Sequence, residues 1–184
     1  MNKTKQITIA GFGGQGVMFL GQMLAHLGNE AGLNSLWYPS YGPETRGGTA
    51  NCAVTLSDKK INSPIFSEAN TLFILNKPSL DKFIDKVYSG GTILYNSSLI
   101  KEEVIKKDVN VYPLPINDLA TELGNIRVAN MIMFGAYLEL NQDFSDKLVE
   151  KVLISILGEG KKDLVKINLE AIALGKEFIR EMKG

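Results

Sequence analysis

The chain has 184 residues, 45% of them hydrophobic, which suits one globular domain, residues 1–184, with room for its own core. Twenty lysines and arginines balance twenty aspartates and glutamates, so no net field favours nucleic acid or an anionic membrane. The N-terminus reaches a strand-like run too soon for a signal peptide, and no apolar run is long enough for a membrane span. A cytoplasmic protein with no nucleic-acid or membrane partner is expected.

The first predicted element is a strand over Gln6–Ala10, followed by Gly11-Phe12-Gly13-Gly14-Gln15-Gly16 and then a helix-period segment. A strand that enters a glycine-rich turn and leaves through a helix N-terminus presents bare backbone N–H groups that favour a phosphate or carboxylate. The same geometry admits a partner's backbone. In the helix, Val17, Leu20, Gly21, Leu24, Leu27, Gly28 and Ala31 share the face expected to meet a sheet, and the glycines allow close approach. Gln22, His26, Asn29 and Glu30 form the polar stripe. Met18, Phe19 and Met23 fall outside the tightest core face, where another helix of the domain or a subunit could cover them.

Further strands are expected at Ser35–Tyr38, Thr49–Ser57, Thr71–Leu75, Thr92–Tyr95 and Val109–Leu114, all rich in β-branched and aromatic residues. Pro78 marks the start of a helix carried by Leu80, Phe83, Ile84 and Val87 to a stop at Ser89-Gly90-Gly91, so Thr71–Tyr95 reads as a right-handed β-α-β unit. Val128–Leu140 is apolar nearly all round, as a buried helix would be. Helices near Ser145–Leu157 and Asp163–Met182 follow, the last with Leu164, Ile167, Ala171, Leu174, Phe178 and Met182 as its docking face. The expected fold is therefore α/β and Rossmann-like: a mostly parallel twisted sheet, flanking helices, and C-terminal helices packed on the domain.

Cys52 is the only cysteine, so the chain alone cannot hold an iron–sulfur cluster, a structural zinc site or an internal disulfide. It sits in a strand-like run, which suits a buried structural thiol. His26 is the only histidine, and its polar-stripe position suits solvent or an interface. No catalytic residue and no metal ligand is assigned.

The glycine loop departs from a dinucleotide fingerprint. The second strand ends Leu36-Trp37-Tyr38-Pro39-Ser40 without the acid that would bind ribose, and Gly16 is followed by valine rather than a phosphate-binding lysine. A second loop, Pro39 to Gly48, is stiffened by two prolines and can project Tyr41, Glu44 and Arg46 in fixed directions. Arg46 could take a phosphate bidentately, with Glu44 neutralising it in the loop or pairing with another chain.

Four segments in order carry a resemblance: Gly11–Val17, Pro39–Cys52, Ser63-Pro64 and Glu122–Met131. Together they resemble the gamma subunit of the 2-oxoacid:ferredoxin oxidoreductases, over Ile7 to about Leu140 and, in length, through the C-terminal helices. The resemblance implies a complex that oxidatively decarboxylates a 2-oxoacid, passes electrons through iron–sulfur clusters to ferredoxin, and delivers the acyl group to coenzyme A. It places thiamine diphosphate with its Mg²⁺ on alpha and beta subunits and the clusters on a ferredoxin-like delta subunit. None of these cofactors is held by the gamma chain alone, which is expected to be accessory and inactive by itself.

On that basis Gly11, Gly13, Gly14, Gln15 and Gly16, with Tyr41, Glu44 and Arg46, are assigned to a surface facing partner subunits or coenzyme A. The Ser40–Cys52 run is more similar to the 2-oxoglutarate and 2-oxoisovalerate types than to the pyruvate type, with 2-oxoglutarate favoured. Two rivals remain. A freestanding dinucleotide-dependent reductase would bind a nicotinamide or flavin by itself, and a small-ligand sensor would respond to ligand without any partner.

Overall fold

A computed structural model describes residues 4–40 and 49–184. Its elements, in chain order, are β1 (Lys5–Phe12), α1 (Val17–Glu30), β2 (Asn34–Ser40), β3 (Thr49–Ser57), β4 (Ala69–Ile74), α2 (Lys77–Phe83) and β5 (Val87–Asn96). β6 (Asn110–Leu114), α3 (Ile116–Glu122), a 3₁₀ turn (Ile126–Val128), α4 (Ala129–Asn141), α5 (Asp146–Leu157) and α6 (Lys162–Lys183) follow. The strands form one sheet in the order β2-β3-β1-β4-β5-β6.

β1, β4, β5 and β6 pair in parallel, whereas β3 runs antiparallel to both β1 and β2. Five strands therefore point one way and only β3 opposes them, so the expected mostly parallel α/β sheet stands. Parallel neighbours need a crossover of a dozen or more residues, and eight separate β2 from β3, so β3 comes back beside β2 antiparallel. Pro39 and Pro113 both lie in strands, and both strands are edges, where a missing N–H breaks no ladder on the solvent side.

Each face of the sheet has its own core. Ile7, Ile9, Val54, Leu56, Phe73 and Leu94 pack beneath α1, α4, α5 and α6, and the Phe73 and Tyr137 rings meet at 5.3 Å. Ala10, Leu72, Ile74, Ile93 and Tyr95 pack on the other face with Leu80 and Phe83 of α2. Each fully buried side chain of this kind is worth about 1.5–3 kcal/mol.

α1 lies on the sheet as its glycines foretell. A Cβ on Gly21 would be 2.5 Å from Trp37 Nε1 and 2.7 Å from Cys52 Sγ, and one on Gly28 would be 2.2 Å from Ser35 Oγ. Met23 is fully buried, so it belongs to the core face, whereas Met18 and Phe19 are only partly covered. His26 is exposed.

Three expectations need correction. α2 ends at Phe83, and Val87 opens β5 by pairing with Ala69 rather than closing a helix. Its spacing suited a helix, but a β-branched residue with a strand partner available gains more in the sheet. α3 and the 3₁₀ turn were not foreseen.

On α6 the buried stripe is Val165, Asn168, Ala171, Ile172, Gly175 and Ile179, while Leu164 and Met182 are 39% and 45% exposed. The predicted face is rotated about one residue from the real one, because Gly175 sets the crossing. A Cβ there would be 1.9 Å from the Ile132 carbonyl oxygen, and one on Gly135 of α4 would be 2.1 Å from that of Ile172. The two backbones touch at these glycines. A single stripe of large apolar residues would hold the helices apart.

Candidate functional site

β1, β4 and β5 all end at one edge of the sheet, where the glycine loop turns into α1. Gly14 (φ 91°) and Gly16 (φ 79°) hold left-handed conformations that other residues resist, and Gly16 is the N-cap of α1 without any side-chain cap. The N–H groups of Gly13, Gly14, Gly16 and Val17 have no hydrogen-bond acceptor among the described residues. The first turn of α1 contains no acid, so no charge within the helix itself offsets these donors and its dipole.

Gln15 holds the loop in this shape. Its Oε1 accepts from Phe12 N–H at 2.6 Å and from Asn76 Nδ2 at 3.4 Å, and its Nε2 donates to the Leu75 carbonyl at 3.2 Å. Gly11 must be glycine for this to work, since a Cβ would stand 2.7 Å from Gln15 Oε1 and 2.8 Å from Leu75 Cβ.

A floor of amides lies below. Fully buried Asn96 donates to the Leu75 carbonyl at 3.2 Å and to Asn117 Oδ1 at 3.1 Å, and it accepts from Ser98 N–H at 3.2 Å. Asn76 caps α2 by accepting from Ser79 N–H at 2.9 Å. Ser98 caps α3 from outside, accepting from the N–H groups of Asn117 and Asp118. These groups tie the ends of β4 and β5 to the glycine loop, and a carboxylate joins them at the start of α3, where Asp118 Oδ2 accepts from Ser98 Oγ at 2.9 Å.

Two cavities flank Gly14. One, of about 470 Å³, is walled by Phe12, Gly13, Val17, Met18, Phe19 and Ala50. The other, of about 170 Å³, is walled by Gln15, Leu75, Asn117, Arg127 and Asn130 among others. Asn130, at the start of α4, reaches Gly16 and donates Nδ2 to its carbonyl at 3.4 Å.

Of the residues predicted for this surface, Gly11, Gly13, Gly14, Gln15 and Gly16 come together here. Tyr41, Glu44 and Arg46 lie outside the described residues. Sequence reasoning missed Asn76, Asn96, Asn117 and Arg127 as members of the site. Arg127 and Asn130 were within the Glu122–Met131 segment, but nothing local in the sequence tied that segment to the glycine loop.

Cys52 is buried against α1, with Sγ donating weakly to the Val17 carbonyl at 3.5 Å. Burial pushes its thiol up to about 12, and the neighbouring Trp37 indole opposes this only in part, since its N–H has no well-formed hydrogen bond. A thiolate nucleophile is therefore inaccessible at neutral pH. Among the described residues no cluster of histidine, cysteine, aspartate or glutamate is arranged to hold a metal, and no helix is long and apolar enough to cross a membrane.

Residues 6–178 match the family model described as pyruvate ferredoxin/flavodoxin oxidoreductase. The ketoisovalerate oxidoreductase subunit VorA of Methanothermobacter thermautotrophicus is 37% identical over 96% of this chain, which spans only 36% of that protein. A second VorA relative is likewise matched over 37% of its length. The 2-oxoglutarate synthase subunit KorC of Methanocaldococcus jannaschii is 32% identical, with 97% of this chain and 95% of that one covered.

Among solved structures, the gamma subunit of a keto/oxoacid ferredoxin oxidoreductase from Geobacter sulfurreducens superposes with a TM-score of 0.81 at 26% identity, covering 96% of this chain and 99% of that one. A 2-oxoglutarate:ferredoxin oxidoreductase from Magnetococcus marinus, solved with 2-oxoglutarate, coenzyme A and succinyl-CoA bound, gives a TM-score of 0.89 at 27% identity. There the match covers 98% of this chain and 32% of that one. With nearly its whole length matched, the chain belongs to the pyruvate ferredoxin/flavodoxin oxidoreductase family.

Proposed function

We propose that this chain is the gamma subunit of a 2-oxoacid:ferredoxin oxidoreductase, an accessory part of a cytoplasmic complex and inactive alone. The observation that carries the reading is end-to-end similarity to a KorC subunit and to a gamma subunit of known structure. In the complex, alpha and beta subunits supply thiamine diphosphate with Mg²⁺, and a ferredoxin-like delta subunit supplies iron–sulfur clusters. Their joint reaction converts a 2-oxoacid and coenzyme A to acyl-CoA and carbon dioxide, with the electrons delivered to ferredoxin. This chain's part is positional: residues 1–184 form one domain whose glycine loop, with Tyr41, Glu44 and Arg46, faces the catalytic subunits and coenzyme A.

Support for coenzyme A comes from the Magnetococcus enzyme, which binds it, and from the unpaired N–H groups of the loop, which suit phosphate oxygens. 2-Oxoglutarate is the favoured substrate, on the full-length KorC likeness. The higher identity of the VorA relative supports a branched-chain 2-oxoacid as the second reading.

The test is an anaerobic pull-down of the tagged chain from its own cells, followed by ferredoxin or viologen reduction with several 2-oxoacids. Co-purified thiamine-bearing and cluster-bearing subunits, with reduction dependent on coenzyme A, are expected, and the preferred 2-oxoacid identifies the substrate. A chain that stays alone and binds a nicotinamide or flavin would overturn the proposal.

A further inference from the structure

β2 bounds one side of the sheet, and its outer side pairs with no described strand. Edge strands are ordinarily blunted by shortness, charge or cover. The far edge is so protected: β6 has five residues, follows Lys106-Lys107-Asp108, and packs Val111 and Tyr112 against the two cores. β2 has seven residues, Asn34 to Ser40, none of them charged. Trp37 lies beneath Gly21 of α1, so Leu36 and Tyr38 occupy the opposite face, where they are 36% and 47% exposed.

The alternation of hydrogen bonds across the sheet sets which backbone groups of β2 are free. Ala10 accepts from Leu75 N–H on the β4 side, so Ile9 bonds on the β3 side, with Cys52 opposite it. Cys52 therefore turns its N–H and C=O away from its β2 partner Pro39, and Ser35, Trp37 and Pro39 direct theirs outward. The edge offers N–H donors from Ser35 and Trp37 and carbonyl acceptors from all three.

This pattern is self-complementary about Trp37. An antiparallel second β2, related by a twofold axis there, exchanges two hydrogen bonds between the paired Trp37 residues, and each Ser35 N–H meets a Pro39 carbonyl across the axis. The position that cannot donate thus falls where an acceptor is used. Leu36 lies opposite Tyr38 twice, an aliphatic–aromatic pair at the closer, non-hydrogen-bonded spacing. Neither strand brings a charge, and the chain's twenty basic and twenty acidic residues balance, so no net repulsion opposes the approach. α1 lies over both β2 and β3. With strands about 4.8 Å apart, the two α1 helices stand roughly 10 Å from each other across the axis, the separation of packed helices.

We propose that the β2 edge is the docking surface for a second copy of this chain, joining two six-stranded sheets into one. The bare edge is consumed in the pair, so the assembly closes at two copies. The inference concerns the chain by itself and does not depend on the proposed function.

The experiment is sedimentation equilibrium of the full-length chain over a range of concentrations, on wild type, on Leu36→Lys/Tyr38→Lys, on Leu36→Glu/Tyr38→Glu and on an equal mixture of the two variants. Both positions are exposed, so the variants should keep the wild-type circular dichroism. Expected is a wild-type mass of twice 20.2 kDa. In each variant alone like charges face each other across the axis, and the dissociation constant should rise roughly tenfold or more. The mixture should recover the dimer, because each lysine then meets a glutamate.

A wild-type chain that stays monomeric at every concentration, a dimer that the charged variants leave unchanged, or a mixture no more dimeric than its components would overturn the proposal. So would a monomeric chain whose charged variants lose only co-purifying subunits, which would assign the edge to a strand of another polypeptide.

Discussion

Gly175→Ala tests the packing that positions the site. The added Cβ would stand 1.9 Å from the Ile132 carbonyl oxygen and 2.9 Å from Ala136 N, all backbone of the facing helix. A comfortable C···O contact is about 3.3 Å or more, so α4 and α6 must part by more than ~1 Å at their crossing. Overpacking by a methyl group costs about 1–3 kcal/mol, and rigid backbone on both sides places this case at the upper end.

Replacing a helical glycine by alanine returns about 1 kcal/mol of helix propensity. The net expectation is a loss of about 2 kcal/mol, and for a chain of this size a fall in Tm of roughly 4–8 °C. Urea unfolding followed by Trp37 fluorescence and by circular dichroism would measure it. Gly160→Ala serves as the control, because a Cβ there meets nothing within 4 Å. If Gly175→Ala were as stable as wild type, or more so, the backbone-to-backbone crossing of α4 and α6 would be refuted.

Asn96→Ala should cost about 2–3 kcal/mol in thermal or urea unfolding, since it leaves the Leu75 carbonyl, Asn117 and the Ser98 N–H short of partners in a buried place. Gly16→Ala forces a non-glycine residue to φ 79° and displaces Asn130, so the variant should lose about 1–2 kcal/mol in urea unfolding followed by circular dichroism. Cys52 should resist iodoacetamide in native protein up to about pH 9 and react only on unfolding. Its folded pKa is raised from 9.0 to about 12, so the unfolded thiol ionises first as pH rises. Stability therefore declines between those values by up to roughly 1.4 kcal/mol per pH unit, and Cys52→Ala should flatten that part of the alkaline denaturation curve.

What could be read from the sequence was whatever has a local cause. The glycine loop follows from a strand feeding a helix, and Gly21 and Gly28 announced their own close approach to β2 and β3. All six strands were visible in their composition. Val87 was misread because spacing alone cannot tell the end of a helix from the start of a strand when the deciding partner, Ala69, lies 18 positions earlier.

The α6 face was misread because counting large apolar residues overlooks a glycine that lets two backbones touch. α3 could have been found from Ile116, Leu119, Ala120 and Leu123 after Pro115, a helical spacing within a short segment. Arg127 and Asn96 had no local signal, since each acquires its role only where distant strand ends converge.

The composition of that convergence bears on what the chain can do. Gln15, Asn76, Asn96, Asn117 and Asn130 are all neutral amides, each anchored to backbone or to another amide, and Ser98 closes the set. The buried groups with strongly displaced pKa values, Cys52 and Tyr137, sit instead in the core under α1 and α4, where burial holds both neutral. Amides cannot exchange protons with a substrate at neutral pH, but they hold a loop in one shape without an electric field that would repel a charged ligand or a neighbouring subunit. Such a floor suits a polypeptide surface that fixes the position of what docks on it rather than one that exchanges protons with it.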